Sequence, residues 1–315
     1  MSSENTYDLV VVGGGPAGLT AALYAARERM KVVVVEKLAC GGEPVKAGLI
    51  ENYPGFPEGI EGGDLAVLFR EQASRFGAEF AEFQEVTGLI RSEDDYEVTH
   101  TGGSFRGKAI LVSTGGEPRA LGIPGEKELT GKGVSYCATC DGPLYRERPV
   151  AVIGGGNSAM EEALFLARFA SRVFLVHRRE EFRGAKILEE RLRANERVEL
   201  VLSARPVGIE GKEAVEALVV RQGGRERSIP VSAVFFFVGV KPNSGWLQGV
   251  LELDEAGRII TDEGMRTSLP GVFAAGDVRS GNLRQISIAC GEGTVACLAA
   301  REYLQETANK PGQIS

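Results

Sequence analysis

Histidine is almost missing from this 315-residue chain: His100 and His177 are the only two, and tryptophan occurs once, at Trp246. Cysteine is sparse too. Five residues do not make a disulfide framework, and the two histidines with the scattered Cys40, Cys290 and Cys297 offer no second ligand pair for a four-coordinate zinc site. An excess of positive charge is also lacking. Thirty-six Lys and Arg stand against 43 Asp and Glu, a net charge of −7, and neither terminus carries a basic arm. Neutralising phosphates therefore has no obvious surface to use, which argues against nucleic acids and anionic membranes as partners. The longest apolar stretch, Val231 to Val240, falls far short of the ~20 residues a bilayer requires. The start, Met1 to Asp8, has no positive region followed by an apolar core. The expectation is a soluble, cytoplasmic protein.

Glycine is what the chain has in excess: 42 residues, roughly twice ordinary usage, gathered in short clusters with no collagen-like period. Such clusters suit tight turns where backbone approaches a ligand. With 43% hydrophobic and 25% charged residues, the composition is globular and the length suits two domains.

One repeat organises the sequence. Leu9-Val-Val-Val-Gly13-Gly-Gly15-Pro16-Ala17-Gly18 has a partner in Val150-Ala-Val-Ile-Gly154-Gly-Gly156-Asn157-Ser158-Ala159, and the offset stays at 141 (154 − 13) through Leu23 and Leu164, Lys31 and Arg172, Glu36 and His177. That period is domain-sized, too long for a solenoid unit of ~20 to 50 residues. Each copy reads as a strand, a glycine turn, a helix and a second strand. The strands are Val10 to Val12 then Val32 to Val35, and Val150 to Ile153 then Val173 to Val176. Leu19, Ala22, Leu23 and Ala26, and Ala159, Ala163, Leu164 and Ala167, cover one face of the two helices. A helix is further expected over Leu65 to Phe76, with strands at Glu79 to Phe83, Tyr96 to His100 and Ala109 to Ser113. The fold class is α/β, with two Rossmann-like nucleotide-binding domains. A late glycine cluster, Pro270 to Asp277, serving the first site would make the first domain discontinuous. The expected division is then 1–117 and 245–315 for the first domain and 118–244 for an inserted second, with Gly115 to Pro118 and Lys241 to Gly245 as the two crossings of a hinge.

Within each fingerprint, Gly13 permits the tight turn, Gly15 removes a side chain where pyrophosphate approaches, and Gly18 lets helix and strand pack. Gly154, Gly156 and Ala159 repeat the pattern. The residue after the second strand separates the ligands. Glu36 can accept hydrogen bonds from ribose hydroxyls, as at FAD or NAD sites. His177-Arg178-Arg179 with Arg183 instead offers guanidinium groups for a 2′-phosphate, which favours NADPH over NADH. Cys137-Ala-Thr-Cys140-Asp141 has the spacing of a small disulfide ring that stabilises one thiolate. Asp141 suits proton transfer during thiol exchange and equally suits capping a turn. Cys40, Cys290 and Cys297 read as packing residues.

On these residues the chain resembles the low-molecular-weight thioredoxin reductases over nearly its whole length. The most specific shared element is Cys137-Ala-Thr-Cys140-Asp141-Gly shortly before the second nucleotide motif. Gly13 to Gly18, Glu51-Asn52-Tyr-Pro54-Gly55, Thr114-Gly115, Gly154 to Ala159, His177-Arg178-Arg179 with Arg183, Gly276-Asp277 and Arg284-Gln285 support it. The resemblance implies FAD in the discontinuous domain, with Asp277 at the ribityl chain and Asn52, Gln285 and Ile286 near the flavin. It extends cofactor binding to Pro16, Ala17, Gly42, Thr114, Gly115, Gly276 and Arg284, and to Asn157 and Ser158 in the second copy. It also implies a homodimer, and electron flow from NADPH through FAD and the Cys137/Cys140 disulfide to thioredoxin or a similar protein. Cys140 would face the flavin, Cys137 would attack the partner, and the inserted domain would rotate between the two half-reactions. The alternatives are a disulfide reductase with a ferredoxin-type donor, an NAD(P)H oxidase on the same scaffold, or a nucleotide sensor without turnover. The intact cysteine pair argues against a plain oxidase. The chain departs from the family at Gly41-Gly42-Glu43-Pro44-Val-Lys46-Ala-Gly48, where Gly-Gly-Gln and threonines are usual, and at Cys290, where a small residue is usual.

Overall fold

The structure is a computed structural model that describes residues 6–46, 49–92 and 95–309. Met1 to Asn5, and Ala47 and Gly48 at the end of the divergent stretch, lie outside the described residues. The chain divides into two compact units. One comprises Met1–Leu49, Tyr53–Glu117 and Lys241–Ser315, the other Pro118–Val240 with Ile50–Asn52.

The first unit is built on a seven-stranded sheet in the order 79–81, 32–35, 6–12, 103–112, 96–100, 86–91, with Val272–Ala274 also pairing with Gly103–Val112. Thr6–Val12 lies parallel to Val32–Val35, with Leu9 opposite Val32 and Val12 opposite Val35. All four valines of Val32–Val35 are buried, as expected of a parallel strand covered on both faces. The helix Pro16–Arg27 returns the chain between them. It packs against the C-terminal helix Ile286–Ala308 through small residues, and a side chain at Gly293 would collide with the Ala17 backbone.

The second unit carries a five-stranded parallel sheet in the order 134–135, 233–237, 149–154, 172–176, 198–201. Val150 faces Val173 as Leu9 faces Val32, so the repeat preserves register as well as sequence. Its helix is Asn157–Leu166. A three-stranded antiparallel sheet, Ala204–Glu210, Ala217–Gln222 and Arg225–Pro230, completes the unit.

Several boundaries differ from the sequence expectation. The helix expected at Leu65 begins at Gly62, and Phe76 is its C-cap. The strand expected to reach Phe83 stops at Ala81, and Phe83 adopts φ 61°, outside extended conformation. The strand expected from Ala109 begins at Gly103, because its first half pairs with the hairpin strand Tyr96–His100. The return to the first unit comes at Lys241 where 245 was expected. Two ties hold this stretch: Val240–Pro242 pairs with Gly116–Pro118, and Asn243 exchanges hydrogen bonds with Thr114 through its backbone oxygen (2.8 Å) and its side-chain amide (3.0 Å). No helix among the described residues is long and apolar enough to cross a membrane.

Candidate functional site

The glycines of the first fingerprint fall into two physical classes. A side chain at Gly13 or Gly18 would strike backbone: the Ser113 carbonyl in one case, the Gly13 carbonyl in the other. These two are demanded by packing. Gly15 is not, since the nearest atom to a side chain there would be the Gly42 Cα at 3.8 Å. The missing side chain leaves room above the start of the helix, where Gly15 caps without a side-chain hydrogen bond. First-turn amides and the positive end of the helix make such a space a pyrophosphate cradle. Pro16 and Ala17 form the first turn, and Gly42 lies across the cradle.

Glu36, the residue after the second strand, is tied to this turn. One carboxylate oxygen accepts the Gly14 N–H at 2.7 Å and the other the Leu38 N–H at 3.0 Å. The turn is thus held by the group expected to bind ribose, and the remaining lone pairs of that carboxylate stay available. The Ser113 hydroxyl lies within hydrogen-bond distance of the Val12 and Gly13 carbonyls, pinning the other side of the turn. Next to Ser113, Thr114 is tied to Asn243 and Gly115 adopts φ 63° with open space at its Cβ position.

The loop before the C-terminal helix adds a buried acid cluster. Gly276 has φ 79° and donates its N–H to Glu292 at 2.7 Å. The same carboxylate accepts Asn282 Nδ2 at 2.9 Å and pairs with Arg279 at 3.3 Å. Burial pushes the Asp277 carboxyl up to about 6, against the opposing pull of Arg284 and with the Glu292 charge adding to the rise. Arg284 takes φ 55°, Gln285 is the N-cap of the C-terminal helix, and Ile286 is its first residue.

The second cradle repeats the first. A side chain at Gly154 would meet Ala159 Cβ and the Phe237 carbonyl, whereas at Gly156 nothing lies within 4 Å. Gly156 also caps its helix without a side-chain hydrogen bond. Asn157 is committed to the chain, its Oδ1 accepting the Ala185 N–H at 2.8 Å, and Ser158 beside it is exposed. His177 is buried over Gly155 and stacks on Phe182 with ring centroids 5.4 Å apart. Burial, together with the charges of Arg183, Arg179 and Arg178, lowers its pKa and keeps the ring neutral. Those three arginines are exposed, and none forms an ion pair among the described residues. Three free guanidinium groups beside an open glycine cradle match the donor set a 2′-phosphate needs.

In the same unit Cys137 and Cys140 form a disulfide. Cys137 is the N-cap of the short helix Ala138–Asp141, and its sulfur accepts the Cys140 N–H at 3.2 Å with the Thr139 hydroxyl 3.4 Å away. Two donors converging on Cys137 favour the thiolate there once the bond is reduced. Asp141 makes no capping hydrogen bond, so the cap reading of this residue is set aside. Burial raises its pKa, and a hydrogen bond from Ser135 acts in the opposite sense. Elsewhere burial keeps the other cysteines as thiols: Cys40 is pushed well up, Cys297 up to about 12, and Cys290, 3.9 Å from the Tyr53 hydroxyl, is raised as well.

The sequence model of pyridine nucleotide-disulphide oxidoreductases matches residues 7–293. The chain belongs to this family. Similar curated proteins include the thioredoxin reductase of Listeria monocytogenes, 41% identical over 97% of this chain and 96% of that protein. The thioredoxin reductase of Treponema pallidum is 40% identical over 97% of this chain and 100% of that protein. Among solved structures, thioredoxin reductase from Streptococcus pyogenes covers 96% of this chain and 100% of its own at 39% identity, with a TM-score of 0.93. Family membership brings with it the use of a flavin and a pyridine nucleotide.

Four residues that hydrogen-bond within these turns carry no signal in the motifs themselves: Ser113, Ser135, Thr139 and Glu292. Glu292 carried a usable signal. It sits between Gly291 and Gly293 on the small-residue stripe Ala289, Ala296 and Ala300, where an acid is out of place unless it is partnered. The two serines and the threonine carried none, because short hydroxyl residues beside turns are common.

Proposed function

We propose that this chain is an NADPH-dependent flavoprotein disulfide reductase whose partner is thioredoxin, with FAD in the first unit and NADPH on the second. The observation that carries the reading is the Cys137–Cys140 disulfide, with two donors converging on Cys137, in the unit that also holds the open Gly156 cradle and the unpaired Arg178, Arg179 and Arg183. Full-length relatives named thioredoxin reductase support it.

In this reading the Gly13-Gly-Gly15 turn and the helix start after it hold the FAD pyrophosphate, and Glu36 accepts ribose hydroxyls. Asp277, at the end of the Glu292-braced loop, would meet the ribityl chain, Asn52, Gln285 and Ile286 would lie near the flavin, and Thr114 and Gly115 would belong to the same cofactor-binding set. Flavin and nicotinamide, when bound, supply hydride acceptance and delivery of two electrons to sulfur, which no side chain offers. On the second unit the Gly154-Gly-Gly156 turn holds the other pyrophosphate, Arg178, Arg179 and Arg183 hold the 2′-phosphate, and neutral His177 covers Gly155 between them.

Two electrons and one proton open the disulfide. Cys137 is left as the favoured thiolate, Cys140 as a thiol and Asp141 as the neighbouring proton carrier. Cys137 attacks the partner disulfide, and Cys140 then displaces the partner from the mixed disulfide. The reading also makes the protein a homodimer, working in the cytoplasm where thiols are kept reduced.

Anaerobic titration with NADPH tests it. Bound flavin should bleach, and two thiols per chain should appear and be reoxidised by thioredoxin disulfide. Flavin that stays oxidised, or thiols that thioredoxin disulfide leaves untouched, would overturn the assignment.

A further inference from the structure

Ser135 is a buried polar residue at the end of the two-residue strand Val134–Ser135, one residue before Tyr136 and two before Cys137. Its hydroxyl oxygen accepts the Cys137 N–H at 3.1 Å and lies 3.2 Å from the Cys137 carbonyl, and it is near enough to the Asp141 carboxyl to favour the ionised form of that group. A hydroxyl has one proton and two acceptor positions. With the Cys137 amide fixed on the oxygen, that single proton has two acceptors: the Cys137 carbonyl and the Asp141 carboxylate. The Cys137 carbonyl has a second donor of its own, the Asp141 N–H at 3.2 Å. The hydroxyl can therefore leave that carbonyl without stranding a buried acceptor. Burial and this hydroxyl are the two influences on Asp141, and Tyr145 is the titratable neighbour that its charge reaches.

We propose that Ser135 is a positioning residue of thiol-disulfide exchange, its hydroxyl turning from the Cys137 carbonyl to the Asp141 carboxylate each time Asp141 gives up its proton. This rests on the disulfide-reductase reading above and adds a residue to it. In the first exchange the Cys137 thiolate bonds to one partner sulfur. The partner S–S bond breaks, and the departing sulfur leaves with the electron pair and takes the Asp141 proton. The Ser135 hydroxyl then supports the new carboxylate where no counter-charge is at hand. In the second exchange Cys140 passes its thiol proton to Asp141 and bonds to Cys137, and the second partner sulfur leaves as a thiolate that water protonates. The pair ends as a disulfide, the partner as a dithiol, and Asp141 is again protonated.

The test is a double-mutant cycle on the reduced holoenzyme. Ser135→Ala and Asp141→Asn are made singly and together, and single-turnover reoxidation is followed with thioredoxin disulfide and with oxidised lipoate. Ser135→Ala should slow reoxidation about tenfold, the loss of one hydrogen bond to a charged group. In the Asp141→Asn background it should change the rate by less than about twofold, because the two act as a unit. Ser135→Thr, which keeps a hydroxyl, should recover most of the rate. If the alanine variant does not hold the fold, Ser135→Val, which matches the threonine variant in shape but lacks its hydroxyl, should show the same pattern. Wild-type rates in Ser135→Ala, or equal losses in both backgrounds, overturn the proposal. A wild-type protein that yields no pair of thiols on reduction refutes the underlying reading instead, so the two failures are distinct.

Discussion

The N–H of Gly276 and the carboxylate of Glu292 are hydrogen-bonded at 2.7 Å across 16 residues, which joins the loop leading into Asp277 to the C-terminal helix. Because Glu292 also holds Asn282 and Arg279 while lying 9% exposed, one carboxylate braces the whole turn. Removing it in Glu292→Ala leaves a largely buried guanidinium without its partner and should destabilise the protein by about 3 kcal/mol. Glu292→Gln, which keeps an acceptor, should fall between. Urea denaturation measures both, and equal stability of the alanine variant and wild type would refute the bracing role.

Asp277 makes stability depend on pH. Burial holds its folded pKa at about 6, above the ~3.9 of an unfolded chain. The folded state therefore binds this proton more tightly, and the contribution to stability is complete below pH ~4 and lost as pH rises toward 6. Relative to Asp277→Asn, flavin-free protein should lose up to about 3 kcal/mol across that window and level off above it. Urea midpoints at closely spaced pH values check the sign; wild-type stability that holds level or rises relative to Asp277→Asn between pH ~4 and 6 contradicts it.

The two kinds of glycine should separate experimentally. Gly18→Ala forces a methyl group into the Gly13 carbonyl and should cost about 2 kcal/mol of stability. Gly15→Ala meets nothing closer than 3.8 Å, so the fold should survive while flavin affinity falls by about tenfold through lost pyrophosphate contact. Flavin retention and denaturation midpoints, measured on both variants, decide; matching losses would show that Gly15 serves packing.

Arg178→Ala combined with Arg179→Ala should raise the KM for NADPH by about tenfold or more and move that for NADH by less than about twofold, since the lost contacts belong to the 2′-phosphate. The ratio of kcat/KM for the two nucleotides is the readout, and a similar effect on both would reassign these arginines.

Much of the site is legible in the sequence because its signals are local. The glycine fingerprints, Glu36, the arginine cluster and Cys137-Ala-Thr-Cys140 each declare themselves by spacing within one turn or one strand-helix unit. Residues that act through distant partners do not. Glu292 is defined by Gly276, Asn282 and Arg279, and Ser113 by Val12 and Gly13 one hundred residues away. Boundaries suffered similarly: Gly103 to Lys108 is a strand because Tyr96–His100 pairs with it.

By itself the sequence determined two copies of a nucleotide-binding unit, their order, the identity of the thiol pair and the residue types at each second-strand terminus, since hydrophobic period and glycine placement constrain backbone one residue at a time. Only the tertiary structure decided which glycines leave ligand space and which merely avoid collision, and which carboxylates are buried. Those properties belong to atoms brought together from remote parts of the chain, where burial and hydrogen bonding, and not residue type, fix the charge state.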